Sequence, residues 1–263
     1  MSKHHHGKQE DGTLSRSPRI TEVEPGVFFV QGTSSNWTIV LDQEGDTAAR
    51  RGFTLVDSGY AGDYPLLLES LSSLDLHPTE CVALLVTHGH VDHIGAAQKL
   101  SAEHGVPVWC HELESGNLVG PKREQLSLLQ VLPRLISPRV RHWLRQALRL
   151  GALEKVSITP ARTFLDGERL AVPGEPTVVH CPGHTAGSSA FLFERSVGGV
   201  LATGDALVTG HELLDSPGTA QLLPGFFTAD QTNALLSFAA LRKRSPALIL
   251  PGHGEPLRAT LSS

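Results

Sequence analysis

Cysteine is scarce in this chain of 263 residues, and so are the features of secreted or membrane proteins. The three cysteines, Cys81, Cys110 and Cys181, cannot all pair and are not spaced as a disulfide framework. Each lies in or beside an apolar run, so we predict three small buried side chains. No apolar run reaches the roughly 18 residues of a membrane span, and the polar N-terminus has no apolar core of a secretory signal. We therefore expect a cytoplasmic protein.

Neither sign of charge dominates the composition. The formal net charge is −5, from 22 Lys and Arg against 27 Asp and Glu. No nucleic-acid or membrane surface is expected from this balance. With 40% hydrophobic and 19% charged residues, the chain can bury a sizeable core. We predict a disordered tail over residues 1–18 and one domain over 19–263; the His4–His6 run, native or a cloning remnant, belongs to the tail.

Short β-type runs alternate with helical segments along the rest of the chain. Helices are predicted near 65–74, 95–104 and 229–244. Between the β-rich halves, residues 112–160 have apolar positions at helical spacing interrupted by Pro133 and Pro138, which predicts two or three short inserted helices. Strands are predicted at 26–31, 37–41, 53–59, 81–86, 106–110, 168–172, 177–180, 189–194, 199–205 and 247–254. This pattern favours two sheets with helices on the outside.

The segment "THGHVDHIG", residues 87–95, concentrates three histidines and an aspartate within six positions. Helical spacing would point His88 and His90 in widely separated directions, and a continuing strand would send His93 to the face opposite His88, His90 and Asp92. The segment follows the apolar run "CVALLV" and precedes a helical one, so we place it at a turn where a buried strand ends. A turn can aim its side chains at two different points, which predicts a metal site.

Three later β-type runs also end at a turn that carries a ligand-type side chain. "TVVHCPGHTAGS" delivers His184, "GVLATGDAL" delivers Asp205 and "ALILPGHGEP" delivers His253. Alone, each would be an ordinary turn residue. Together with the 87–95 segment, they could complete two metal coordination shells, which that segment cannot do alone.

These motifs, in this order and with "LVDSG" upstream, resemble those of the metallo-β-lactamase superfamily, in its branch of glyoxalase II and lactonases. The resemblance covers about residues 20–258. It implies an α/β (α+β) fold of four layers, an αββα sandwich of two mixed sheets with outer helices, and a site at one edge between the sheets. It also implies two divalent metal ions, zinc before iron or manganese. Their implied ligands are His88, His90 and His184 for the first ion, Asp92, His93 and His253 for the second, and Asp205 as the bridge.

The chemistry implied by the resemblance is hydrolysis by a metal-bridging hydroxide. Asp92 would orient this nucleophile and help to move a proton, and Asp57, in the "DSG" turn, would orient a ligand histidine. The expected substrate is a small ester, thioester or lactone. Antibiotic hydrolysis is disfavoured by Asp205, and Val208 stands where the homoserine lactonases carry tyrosine. Glyoxalase II continues into a C-terminal helical region, whereas this sequence stops ten residues after His253.

Two other functions stay open at this point. One is a persulfide dioxygenase with a single iron, which would need little from His93 and His253. The other is a non-catalytic scaffold of the same fold, which the absence of metal ligands from the sequence would indicate. Metal content distinguishes the hydrolase from the dioxygenase.

The 112–160 insertion is the predicted lid or pocket wall for a small-molecule substrate. Arg141, Arg145 and Arg149 recur every four residues along one helix face, where they could receive an anionic substrate or form a solvated face. Trp143 is predicted in the core or at a dimer contact. His211 is a further candidate to line the site. An apolar lid also favours a homodimer.

Overall fold

The structure, a computed structural model, describes residues 17–42, 52–120, 124–196 and 198–258. The tail predicted over 1–18 therefore lies almost entirely outside the described residues, as does most of the 42–52 connection. Within the described ranges, twelve strands form two sheets. The strands are β1 (Arg19–Glu24), β2 (Val27–Gln31), β3 (Asn36–Leu41), β4 (Phe53–Val56), β5 (Cys81–Leu85), β6 (Val108–His111), β7 (Arg162–Phe164), β8 (Thr177–His180), β9 (Ser189–Arg195), β10 (Gly198–Gly204), β11 (Leu248–Pro251) and β12 (Leu257–Arg258).

Both sheets are mixed. The first has the order β1-β2-β3-β4-β5-β6-β7, antiparallel from β1 to β4 and parallel from β4 to β7. The second has the order β12-β11-β10-β9-β8, and only its β10–β11 pair is parallel. The helices are α1 (Tyr64–Ser72), α2 (Val91–Ile94), α3 (Ala97–His104), α4 (Ser115–Val119), α5 (Leu128–Val131), α6 (Pro138–Arg149) and α7 (Gln231–Lys243).

Alternation along the strands produces the predicted four layers. In β2, Phe29 packs in the cluster between the sheets, whereas Val30 packs in the cluster that includes Leu67 of α1. In β11, Leu250 faces the first sheet and Ile249 packs with the cluster under α7. Among the described residues, the three larger apolar clusters lie between the sheets and beneath each helical layer, and a fourth, small one surrounds Tyr60. The αββα prediction is therefore confirmed.

Most predicted elements are present with shifted ends, and a few are not. The strand predicted at 168–172 is wrong: only an isolated bridge joins Arg169 to Thr177, because the chain reverses at Pro173–Gly174, where Gly174 has φ +82°. The helix predicted over 95–104 begins at Ala97 as α3 and is preceded by the short α2. β1, β7 and β12 had no prediction.

The 112–160 segment lies between β6 and β7 and carries three short helices. Pro133 lies in a 3-10 turn and Pro138 is the first residue of α6, as proline's fixed φ favours. The three cysteines are free and buried, which confirms that prediction. In the part of the chain that the structure describes, no helix is both long and apolar enough to cross a membrane.

Candidate metal centre

The ends of four strands from both sheets bring the predicted ligands to one edge. The 87–90 turn follows β5, and His90 caps α2, which carries Asp92 and His93. From the second sheet come His184 after β8, Asp205 directly after β10 and His253 after β11. All seven side chains predicted as ligands meet here, in two groups whose ligand atoms lie within 4.8 Å of one another: His88, His90 and His184, and Asp92, His93, Asp205 and His253.

The Asp205 carboxylate contacts imidazoles of both groups. Its Oδ2 lies 3.4 Å from Nε2 of His184 and 3.4 Å from Nε2 of His253, and its Oδ1 lies 3.3 Å from Nε2 of His93. No residue with a side chain would fit at position 252, because a Cβ on Gly252 would lie 2.4 Å from Asp205 Oδ1. The close approach of the β11 turn to this carboxylate therefore requires glycine.

The donor atoms of the site fit a cation. Among the described side chains, His88 Nε2, His93 Nε2, His184 Nδ1 and Asp205 Oδ1 are buried without a hydrogen-bond partner. Each such atom costs about 1–3 kcal/mol if it stays unpaired. Imidazole nitrogens and carboxylate oxygens are ligands that suit zinc, and iron and manganese accept them as well.

The electrostatics differ between the two groups. Burial, and then the imidazoles of His93, His184 and His90, hold the pKa of His88 well below its usual range, and burial beside His90 lowers the pKa of His184 to about 3. His88 and His184 are thus neutral imidazoles, the form that binds metals.

In the second group, carboxylates outweigh burial. Burial alone would lower the pKa of His253, but Asp205 and Asp92 raise it to about 10. Burial would raise the pKa of Asp205, yet the His253 and His93 imidazoles hold it well below its usual value. Burial would raise the pKa of Asp92 as well, but the His93 and His253 imidazoles lower it. The carboxylates and imidazoles of the second group therefore stabilise each other's charged forms.

Asp57 contacts the second ligand group through His93, a ligand histidine, as the sequence predicts. Its Oδ2 lies 2.8 Å from Nδ1 of His93 and accepts the Thr87 hydroxyl proton at 2.7 Å, while its Oδ1 accepts the Thr87 backbone N–H at 2.8 Å. A carboxylate on Nδ1 fixes the orientation of the His93 ring, so that Nε2 points to the site.

Glu114, in the inserted segment, braces the first group and had no prediction. This fully buried carboxylate accepts four hydrogen bonds: from Gly89 N at 2.7 Å, Asn117 Nδ2 at 2.8 Å, Thr185 Oγ1 at 2.8 Å and Gly187 N at 3.0 Å. Gly89 lies between His88 and His90, and Thr185 follows His184. One side chain therefore ties together the two loops that carry the first group.

Above the two groups opens a cleft whose wall comes from the inserted segment, in the place predicted for a lid. Trp143, predicted in the core or at a dimer contact, is half-buried and lines this cleft. His211 lines it as well, with its side chain 3% exposed and its ring centroid 5.0 Å from that of His253. Arg141 and Arg145 do not: both are exposed on the opposite side of α6, because the helix turns its apolar stripe to the cleft.

Tyr60, which had no prediction, is a polar group of the cleft wall. Its side chain is 4% exposed and packs with Val91 and Ala147. Burial, and then the nearby Asp92 carboxylate, raise the pKa of its phenol well above the usual value, so the hydroxyl stays protonated. No run of neighbouring residues marks Tyr60 in the sequence, because its surroundings come from α2 and α6.

Comparison with curated proteins finds metal-dependent hydrolases. The chain is 30% identical over 215 residues to the probable metallo-hydrolase YflN of Bacillus subtilis, covering 78% of this chain and 76% of that protein. It is 31% identical over 191 residues to the hydroxyacylglutathione hydrolase GloC of Haemophilus influenzae, covering 72% of each.

Comparison with solved structures supports the fold independently. The metallo-beta-lactamase GOB-18 of Elizabethkingia meningoseptica superposes with a TM-score of 0.64 at 15% identity, over 96% of this chain and 83% of that one. The di-zinc metallo-beta-lactamase LRA-12 from an Alaskan soil metagenome gives 0.63 at 16% identity, over 94% and 83%. The family model of the metallo-beta-lactamase superfamily matches residues 32–253. The chain therefore belongs to the metallo-beta-lactamase superfamily.

Proposed function

We propose that the protein is a dinuclear metal-dependent hydrolase that cleaves a small ester, thioester or lactone. The observation that carries this proposal is the Asp205 carboxylate, which lies within 3.4 Å of imidazole nitrogens of both ligand groups. A carboxylate shared in this way suits a bridge between two ions. A single-iron site would leave His93 and His253 without a purpose at their positions.

The proposed ligands divide between the ions as the two groups do. His88, His90 and His184 would hold the first ion, and Asp92, His93 and His253 the second, with Asp205 between them. Zinc is the proposed metal, because this donor set suits it. The chemistry that two such ions supply is a water acidic enough to act as a nucleophile near neutral pH, and stabilisation of the developing oxyanion.

Asp92 is the proposed proton carrier. Its side chain is 18% exposed, more than those of His93 and His253 beside it, and it lines the cleft. Its carboxylate would orient the attacking water and take a proton from it, then pass that proton to the leaving group. Asp57 would keep His93 in the orientation that leaves Nε2 free for the ion.

The relatives favour an acyl substrate. Two of them are named hydroxyacylglutathione hydrolases, from Haemophilus influenzae and Halorhodospira halophila, and the latter is 33% identical over 165 residues. A hydroxyacylglutathione is a thioester. We extend to this chain only the reaction type, attack of water on an activated carbonyl.

Metal content tests the proposal first. Plasma mass spectrometry on protein purified without a nickel column should give two ions per chain, with a variant carrying His4→Ala, His5→Ala and His6→Ala as the control for adventitious binding. His253→Ala should lower the content towards one ion and abolish hydrolysis in a screen of esters, thioesters and lactones. A single iron whose occupancy is unchanged in His253→Ala would refute the dinuclear hydrolase in favour of oxygen-consuming thiol chemistry.

A further inference from the structure

We propose, on the basis of the hydrolase function above, that the substrate carries an uncharged, apolar acyl group, which the inserted segment binds in the cleft. The ligand groups would then hold the carbonyl end, while α6 and its neighbours select the acyl chain. This assigns the inserted segment the role of an acyl-binding wall.

The wall is apolar where it faces the cleft. Helix α6 presents Trp143, Leu144, Ala147 and Leu148 to it on one side, as the spacing of three and four residues requires. Leu148 is 42% exposed. Apolar side chains left open to solvent at the mouth of a concave site are typical of ligand grooves.

An aromatic cluster closes the inner end of this wall. The rings of Trp143 and Phe227 meet edge to face with centroids 5.3 Å apart, and His211 lies 5.3 Å from Phe227. His211 uses Nδ1 to accept the Leu213 N–H at 3.1 Å, which leaves the proton on Nε2, and its ring packs beside those of Trp143 and Phe227. The cleft thus offers flat apolar contact next to the ligand groups.

The charges of the site oppose an anionic acyl group. No lysine or arginine is found among the described residues that line the cleft, whereas Asp92 and Asp205 form its floor. The arginines of α6 lie on the side of the helix that points to solvent. The Arg141 guanidinium donates to the carbonyls of Leu135 and Ile136. A carboxylate on the acyl chain would therefore meet no lysine or arginine among the described residues of this wall, and its burial there would be costly.

The cleft opens to solvent, and its empty space amounts to about 780 Å³ when the open part is counted. This volume is therefore an upper bound on the space that an acyl group could fill.

An acyl series tests the inference with the metal-loaded full chain. The probes are the p-nitrophenyl esters of acetate, butyrate, hexanoate and octanoate, with the half ester of adipate as the charged partner of hexanoate. A fully buried methylene raises kcat/KM about fourfold, and hexanoate has four methylenes more than acetate. Burial of even two of them should make hexanoate the better substrate by more than about tenfold. The adipate ester should be hydrolysed more slowly than hexanoate. A flat series, or a preference for adipate, would overturn the inference.

Two leucine variants localise the effect. Leu148→Lys places a cation at the mouth of the cleft and should lower the octanoate-to-acetate ratio of kcat/KM by about tenfold and raise the adipate-to-hexanoate ratio. The control is Leu236→Lys, since Leu236 is an exposed leucine of α7 that lies outside the cleft lining. Equal responses of the two variants would overturn the assignment of the acyl group to this wall.

A binding measurement separates this inference from the proposed function. Calorimetric titration of the metal-loaded protein with acetate, hexanoate, octanoate and adipate needs no turnover. Tighter binding with chain length, a negative heat-capacity change and rejection of adipate support the apolar site even if no ester is cleaved, in which case the hydrolase proposal alone fails. Equal affinities for acetate and octanoate overturn the inference even if esters are hydrolysed.

Discussion

Glu114 offers the sharpest test of how the first ligand group is held. Its two carboxylate oxygens each accept two hydrogen bonds: Oε1 from Gly89 N and Asn117 Nδ2, and Oε2 from Thr185 Oγ1 and Gly187 N. Glutamine has the same shape but one acceptor oxygen. In either orientation of the amide, Glu114→Gln turns an N–H towards two donors and leaves them unpaired.

The cost of this substitution follows from the two donors that lose their acceptor oxygen. A buried donor without a partner costs about 1–3 kcal/mol, so Glu114→Gln should lower the free energy of unfolding by about 2–6 kcal/mol. The lower half of that range is expected, because Thr185 can pair with the Ser188 hydroxyl 2.8 Å away. A backbone N–H such as Gly187's has no such alternative. The substitution also loosens the two loops that carry the first ligand group. Metal affinity should therefore fall by about 10- to 100-fold.

Urea unfolding and chelator competition measure the two effects on the same protein. Glu112→Gln is the matched control, because it makes the same change in the same 3-10 turn at an exposed side chain. Its effect on unfolding should stay within about 0.5 kcal/mol. If Glu114→Gln behaves like Glu112→Gln in both assays, the bracing role is refuted.

Four further results are expected. Asp57→Asn should lower the affinity for the second metal ion by about 10- to 100-fold, and plasma mass spectrometry should then find nearer one ion than two; unchanged stoichiometry would contradict the role of Asp57. Gly95→Ala places a Cβ 2.2 Å from the backbone N of Ala61 and should destabilise the fold by about 3 kcal/mol or more in urea, whereas Gly116→Ala, with nothing within 4 Å of its Cβ, should be neutral or stabilising. Chelation of the metal should lower Tm in a thermal scan, since the native state alone holds the ions, and equal Tm values would refute a structural contribution. Light scattering should find a homodimer that Ile136→Lys weakens, because this lid side chain is 88% exposed; a wild-type monomer would exclude it.

Local pattern was enough to predict the layers and the ligand turns. Buried strands such as β5 and β11 are continuous apolar runs that end in glycine-rich turns, so the strand and the side chain after it are visible together. β1 was missed because its sequence, RITEVE, mixes charged and apolar residues and is largely exposed at the sheet edge. Residues 168–172 were predicted as a strand from their β-type sequence, ERLAV. The chain reverses at Pro173–Gly174, however, and only an isolated bridge forms, between Arg169 and Thr177.

Contacts between distant parts of the chain could not be predicted in this way. Glu114 bonds to Gly89 and Thr185, 25 and 71 residues away, and nothing in its own neighbourhood distinguishes it from the exposed Glu112. Tyr60 lies in the cleft wall because Val91 of α2 and Ala147 of α6, both distant in sequence, pack with it. The spacing of Arg141 and Arg145 fixes that they share a helix face but leaves open whether that face looks to the cleft or to solvent.

The origin of the ligands in both sheets has a consequence for how the protein folds. The first group draws on residues 88, 90 and 184, and the second on 92, 93, 205 and 253, so neither half of the chain contains a complete set. High-affinity metal binding therefore requires sheets built from opposite ends of the sequence to have docked already. The ions would arrive last in folding and would lock together layers that formed separately, so metal uptake reports the completion of the native state.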